Sequence, residues 1–124
     1  MSTSKILIAE DSAVVQNIVR RILQAQHFEI DLARNGQEVL DKMKQAPYRA
    51  ILMDINMPRM NGIECAKAIR ALPDTQKAAT PIIAITGNPD NYSVEQFRAL
   101  GIDDLVEKPI NFDDLTNKLF KLIG

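Results

Sequence analysis

Three short apolar runs stand out along the chain: Ile6-Leu7-Ile8-Ala9, Ala50-Ile51-Leu52-Met53 and Ile82-Ile83-Ala84-Ile85. None alternates with polar residues, so each reads as a strand covered on both faces, as in the middle of a parallel sheet. Two further segments are mixed. Glu29-Ile30-Asp31-Leu32 alternates, and Asp104-Leu105-Val106-Glu107 is short and flanked by acids, so both are expected at sheet edges. Between these five lie helical patterns. The first, over 12–26, places Val14, Val15, Ile18, Val19, Ile22 and Leu23 on one wide inward stripe. A second starts at Asn35, with Glu38 completing a capping box, and stops before Pro47. A third starts at Asn61 with Glu64 in the same role and ends near Leu72-Pro73. A fourth starts at Ser93 with Gln96 and ends at Gly101 as a left-handed cap. The fifth runs from Asn111 to Ile123, with Phe112, Leu115, Leu119 and Leu122 facing inward.

Five strand–helix units joined by right-handed crossovers make a doubly wound α/β fold. With the apolar strands central and the mixed ones at the edges, the predicted order is 2-1-3-4-5 in a five-stranded parallel, flavodoxin-like sheet. The periodic segments occupy the chain from Lys5 onward, so residues 1–124 are expected to form a single domain.

Composition narrows the function. Fifteen basic residues against sixteen acidic ones leave a net charge of −1, without the basic excess of a nucleic-acid-binding surface. No apolar run approaches a membrane span. The first residues are too short for a secretory signal, and the Met-Ser start is expected to be a genuine N-terminus. Cys65 has no second cysteine to pair with, which fits a cytoplasmic setting. The expectation is therefore a soluble cytoplasmic module that binds neither nucleic acid nor membrane.

Ligands in such sheets bind beyond the carboxyl ends of the strands, where the strand order reverses. Strand one ends in Glu10-Asp11 and strand three in Asp54. Neighbouring strands lie ~4.8 Å apart, so these carboxylates converge and repel. A hard divalent cation such as Mg²⁺ resolves the repulsion, because it takes oxygen ligands and keeps several waters. Strand four ends in Thr86 and strand five in Lys108-Pro109. Lys108 is then two strands from Asp54, on the order of 10 Å, and a long side chain spans much of that gap. A carboxylate nucleophile, a metal, a fixed cation and a hydroxyl suit phosphoryl transfer, in which positioning and charge neutralisation dominate.

Four blocks carry a family resemblance over essentially the whole chain. Ile8-Ala9-Glu10-Asp11-Ser12, the stretch Leu52-Met53-Asp54-Ile55-Asn56-Met57-Pro58-Arg59-Met60-Asn61-Gly62, Ile85-Thr86 and Lys108-Pro109-Ile110 resemble the signature blocks of bacterial response regulator receiver domains. The resemblance implies that Asp54 takes a phosphoryl group from a phosphohistidine on a sensor histidine kinase or a histidine phosphotransfer protein. It implies a Mg²⁺ site made by Glu10, Asp11, Asp54 and the backbone carbonyl of Asn56, and phosphoryl-oxygen binding by Thr86 and Lys108. It also implies a cis Lys108-Pro109 bond, and a downstream protein target met on the face of the fourth helix, fifth strand and fifth helix. Such a chain is a phosphoacceptor, not a turnover enzyme. It stands alone or forms part of a larger regulator or hybrid kinase.

The sequence departs from the family at Leu105, three positions before the lysine, where many receivers carry a Tyr or Phe that responds to the threonine. Leucine lacks the hydroxyl, so the strand-five face is expected to respond differently. Taken singly, each site residue has a plainer reading. Asp54 before a Met-Pro turn is a turn former, Glu10-Asp11 favours a helix N-terminus, Thr86 is a strand-end hydroxyl and Lys108 a solvated cation. Their placement at one set of strand ends argues for the shared role. Cys65 is expected to be inert and partly buried, His27 a solvated turn residue, and Met53, Met57 and Met60 packing residues, while Asn56 and Asn88 overhang the site.

Two other functions compete. A haloacid-dehalogenase-type phosphatase wants a second Asp where this chain has Asn56, and it needs room for a cap domain. A receiver-like interaction module that works without phosphorylation has Leu105 in its favour and the charge cluster against it. Nucleotide or flavin binding lacks its glycine motifs.

Overall fold

The computed structural model describes residues 5–57, 60–87 and 93–123. In chain order the elements are β1 (Lys5–Ala9), α1 (Ala13–Gln24), β2 (Glu29–Ala33), α2 (Gly36–Gln45), β3 (Ala50–Asp54), α3 (Gly62–Arg70), α4 (Thr75–Ala78), β4 (Ile82–Thr86), α5 (Val94–Ala99), β5 (Asp104–Glu107) and α6 (Phe112–Ile123). The strands form one parallel sheet in the order β2-β1-β3-β4-β5, as expected. Its residues alternate between two cores. Ile6, Ile8, Leu52, Ile83 and Ile85 pack with Val19 and Leu23 of α1 and Leu115 and Leu119 of α6. Leu7, Ala9, Ile51, Met53 and Ala84 pack with α2, α3 and Phe97 of α5.

Side-chain caps set the helix starts. Ser12, Asn35, Asn61 and Ser93 each accept a backbone N–H from the third helical residue. The capping box is reciprocal at Asn61–Glu64 and Ser93–Gln96. At α2, Glu38 instead accepts from the Asn35 side chain at 3.4 Å. Gly101 takes φ +93°, the left-handed cap expected after the helix now numbered α5.

Three further details differ from what the sequence pattern predicts. Val14 and Ile18 are 69% and 43% exposed, whereas Val19 and Leu23 are fully buried. A helix lying on a sheet buries a stripe of roughly 100°, so Val14 and Ile18, each one residue before Val15 and Val19, turn outward. Phe112, expected inward, is 47% exposed at the first turn of α6. The one-turn helix α4 was not anticipated. Asp74 caps it by accepting from Gln76 and Lys77 N–H groups at 3.0 and 3.1 Å.

Candidate functional site

β1 ends at Ala9, which delivers Glu10 and Asp11 directly above the sheet, and β3 delivers Asp54 beside them. Carboxylate oxygens of Glu10, Asp11 and Asp54 lie within 4.8 Å of one another. Glu10 and Asp54 are buried, while Asp11 faces solvent. β5 ends one residue before Lys108, and its ammonium crosses to Asp54 Oδ2 at 3.1 Å and Glu10 Oε2 at 3.3 Å. The Lys108 backbone N–H donates to the Thr86 carbonyl at 2.8 Å, which fixes the lysine beside the end of β4. The Lys108–Pro109 peptide is cis. The buried Thr86 closes β4, so the strand ends gather Glu10, Asp11, Asp54, Thr86 and Lys108 as the sequence implied.

Local hydrogen bonds hold the two buried acids. The Asn56 backbone N–H donates to Asp54 Oδ1 at 2.9 Å, although the Asn56 side chain is exposed. The Ser12 N–H donates to Glu10 Oε1 at 3.1 Å, and the Gln16 side-chain amide donates to the Glu10 carbonyl. Gly62 opens α3 against the end of β3. A Cβ there would stand 2.7 Å from the Asp54 carbonyl and 2.9 Å from Ile55 Cα, so only glycine admits this approach. Gln16 and Gly62 escaped the sequence reading as site-shaping residues. Gly62 belongs to the 52–62 block, but what requires glycine there is a backbone contact between segments.

The electrostatics are unbalanced: three carboxylates face one ammonium. Burial, followed by the hydrogen bond to and repulsion from Asp54, pushes the Glu10 carboxyl up to about 7, despite the lowering effects of the Ser12 N–H and Lys108. For Lys108, burial pulls the ammonium pKa down, but the Asp54 and Glu10 carboxylates outweigh it and the net shift is upward. Glu10 Oε2 is buried and accepts no well-formed hydrogen bond; the Lys108 ammonium at 3.3 Å, shared with Asp54, is the cation beside it. Three converging acids that share one ammonium, two of them buried, are the donor set that a hard divalent cation needs. The chemistry this permits is attack by a carboxylate on phosphorus, with positive charge held over the transferred oxygens.

The other singled-out residues lie elsewhere. Cys65 is fully buried, not partly, and its thiol donates to the Gly36 carbonyl at 3.6 Å. Burial pushes that thiol up to about 12, which leaves it inert. His27 is an exposed turn residue, with φ +69°. Met53 and Met57 are buried in the core, and Met60 packs against it. Leu105 is buried in the same core. Asn88, Pro58 and Arg59 lie outside the described residues.

Comparison with known proteins adds a family. A model described as the response regulator receiver domain matches residues 6–120. Hybrid signal transduction histidine kinase I of Dictyostelium discoideum is 38% identical over 116 residues, which cover 90% of this chain and 7% of that protein. Transcriptional regulatory protein ResD of Bacillus subtilis is 36% identical over 108 residues, 87% of this chain and 43% of that protein. The chain thus spans less than half of either relative. Among solved structures, a sensor histidine kinase receiver domain from Pseudomonas aeruginosa has a TM-score of 0.88 at 28% identity, covering 99% of both chains. It has a magnesium ion coordinated in its active-site cleft. The receiver domain of the Saccharomyces cerevisiae response regulator Ssk1, co-crystallised with the histidine phosphotransfer protein Ypd1, scores 0.87 at 28% identity and covers 98% of this chain and 89% of that one. With the sheet order, the strand-end acids and the match across residues 6–120 in agreement, the chain belongs to the response regulator receiver domain family of two-component and phosphorelay signalling.

Proposed function

We propose that residues 1–124 act as one receiver domain in which Asp54 is the phosphoacceptor. The observation that carries this reading is the buried Glu10–Asp54 pair, with Asp11 converging on it and the single Lys108 ammonium shared between its two oxygens at 3.1 and 3.3 Å. One ammonium does not balance two buried carboxylates and a third beside them, so the cluster is costly to keep without a further cation. Glu10, Asp11, Asp54 and the Asn56 backbone carbonyl hold Mg²⁺, which when bound neutralises the acids and the incoming phosphoryl oxygens. An Asp54 carboxylate oxygen attacks phosphorus, the P–N bond of a phosphohistidine breaks, and its electron pair stays on the imidazole. The Asn56 N–H orients the Asp54 carboxylate. Lys108 and Thr86 take the phosphoryl oxygens of the product.

The donor is a histidine kinase or a histidine phosphotransfer protein. Val14 and Ile18, 69% and 43% exposed on α1, and Phe112, 47% exposed at the start of α6, give it apolar surface on the helices that follow Asp11 and Lys108. A downstream protein target meets the α5/β5/α6 face. The chain takes part in its own phosphorylation but is an acceptor, not a turnover enzyme. We assign it to the cytoplasm; among the described residues no helix is long and apolar enough to cross a membrane. A phosphorylation-independent interaction module is the weaker reading, because it gives no reason to bury two acids together.

Intact mass after incubation with acetyl phosphate, with and without Mg²⁺, tests the proposal in the wild type and in Asp54→Asn. One phosphoryl adduct that requires both Mg²⁺ and Asp54 is expected. No adduct and no response to beryllofluoride, in protein shown to be folded, overturns it.

A further inference from the structure

We infer that both edges of the sheet are closed to strand addition by one repeated local device, so that a partner meeting an edge strand does so through side chains and the flanking helices and not through a backbone ladder. An edge strand presents unpaired N–H and C=O groups that template pairing with another chain. On β2, the Leu32 N–H is taken by the preceding carboxylate, Asp31 Oδ1, at 3.0 Å. On β5, at the opposite edge, the Leu105 N–H is taken in the same way by Asp104 Oδ1 at 2.8 Å. Each device is tied to a helix by a lysine. Lys42 of α2 binds Asp31 Oδ1 at 2.9 Å, and Tyr48 donates to Asp31 Oδ2 at 2.6 Å. Lys118 of α6 donates to the Leu105 carbonyl at 2.7 Å and is itself paired with Asp114 at 3.3 Å.

The closure at β5 is thus double, since one residue has its donor occupied by a side chain of its own strand and its acceptor by a side chain of α6. The charge pattern acts in the same direction. β2 carries Glu29 and Asp31, and β5 carries Asp104 and Glu107, whereas β1, β3 and β4 carry no acid before the Asp54 that ends β3. A second copy offering β5 against β5, or β2 against β2, brings like charges face to face across the new ladder. Pro109 follows two residues after β5 and has no N–H to extend it. The acids that mark these strands as edges in the sequence are the groups that close them.

The test opens β5 in the whole chain. In Asp104→Ala the Leu105 amide loses its acceptor, and its hydrogen exchange by NMR is expected to quicken about fivefold, the loss of one ordinary hydrogen bond. In Asp104→Ala combined with Lys118→Met, sedimentation velocity is expected to show concentration-dependent self-association where the wild type stays monomeric. Asp104→Asn with Lys118→Arg keeps an acceptor and a donor and is expected to remain monomeric. An unchanged Leu105 exchange rate in Asp104→Ala overturns the inference. So does a folded opened variant that stays monomeric at every concentration. If the opened variant does not fold, the exchange rate in the single variant decides.

Discussion

Glu10→Gln isolates the cost of the buried carboxylate pair. Glutamine keeps the shape and an oxygen for the Ser12 N–H at 3.1 Å but removes the charge. In the metal-free wild type, burial chiefly and Asp54 next raise the Glu10 carboxyl from 4.5 to about 7. The folded chain therefore holds this proton more tightly than the unfolded chain does. The resulting stability is fully present below pH 4.5, declines as pH rises toward 7, and is absent above that. At about 1.4 kcal/mol per pKa unit the loss is about 3 kcal/mol. The attraction of Lys108 at 3.3 Å already acts within that raised value. The upward shift of Lys108 operates above its ordinary 10.5, outside this window. Urea unfolding of both proteins in a chelator, across this pH range, gives the comparison. The two are expected to be equally stable at the acid end, with Glu10→Gln the more stable by about 3 kcal/mol above pH 7. Saturating Mg²⁺ then stabilises the wild type more than the variant. Parallel pH profiles, or a variant weaker than wild type above pH 7, refute the argument that Glu10 is held at a cost which a cation relieves.

Gly62→Ala is expected to cost about 2 kcal/mol, because the new Cβ meets the Asp54 carbonyl at 2.7 Å and backbone cannot give way; an unchanged urea midpoint refutes this. Val14→Asp with Ile18→Asp leaves phosphorylation by acetyl phosphate intact, while KM for a phosphohistidine donor protein rises about tenfold, the loss of one or two apolar contacts. Equal effects on both donors count against α1 as the landing surface. With Leu105 in place of an aromatic residue, beryllofluoride is expected to move NMR resonances of the Asp54 surroundings more than those of α5 and β5. Thr86-dependent shifts in α5 and β5 as large as those at the site refute that expectation.

The convergence of the strand-end residues was legible in the sequence because strand order sets it. Unbroken apolar runs mark β1, β3 and β4 as central, and once that order is set Glu10, Asp11 and Asp54 must meet and Lys108 lies within reach. Pattern did not settle how each helix rolls on the sheet. Val14 and Val15, or Ile18 and Val19, are both apolar, and contact with β1, β2 and α6 selects Val19 for full burial and Val15 for partial burial. Nor did pattern reveal α4. Four residues are too few to nucleate a helix alone, and this turn rests on distant groups. Lys77 reaches the Lys44 carbonyl at 3.1 Å, and Arg70 reaches the Ala78 carbonyl at 2.7 Å. The same holds for which of two adjacent acids is buried. Glu10 and Asp11 are alike in sequence, but Glu10 is enclosed under Lys108, with its backbone N–H on the Ala33 carbonyl and its own carbonyl held by Gln16. Asp11, one residue further from the sheet, faces water. The cluster's negative charge thus has a buried half that a cation must satisfy and an exposed half through which that cation can enter.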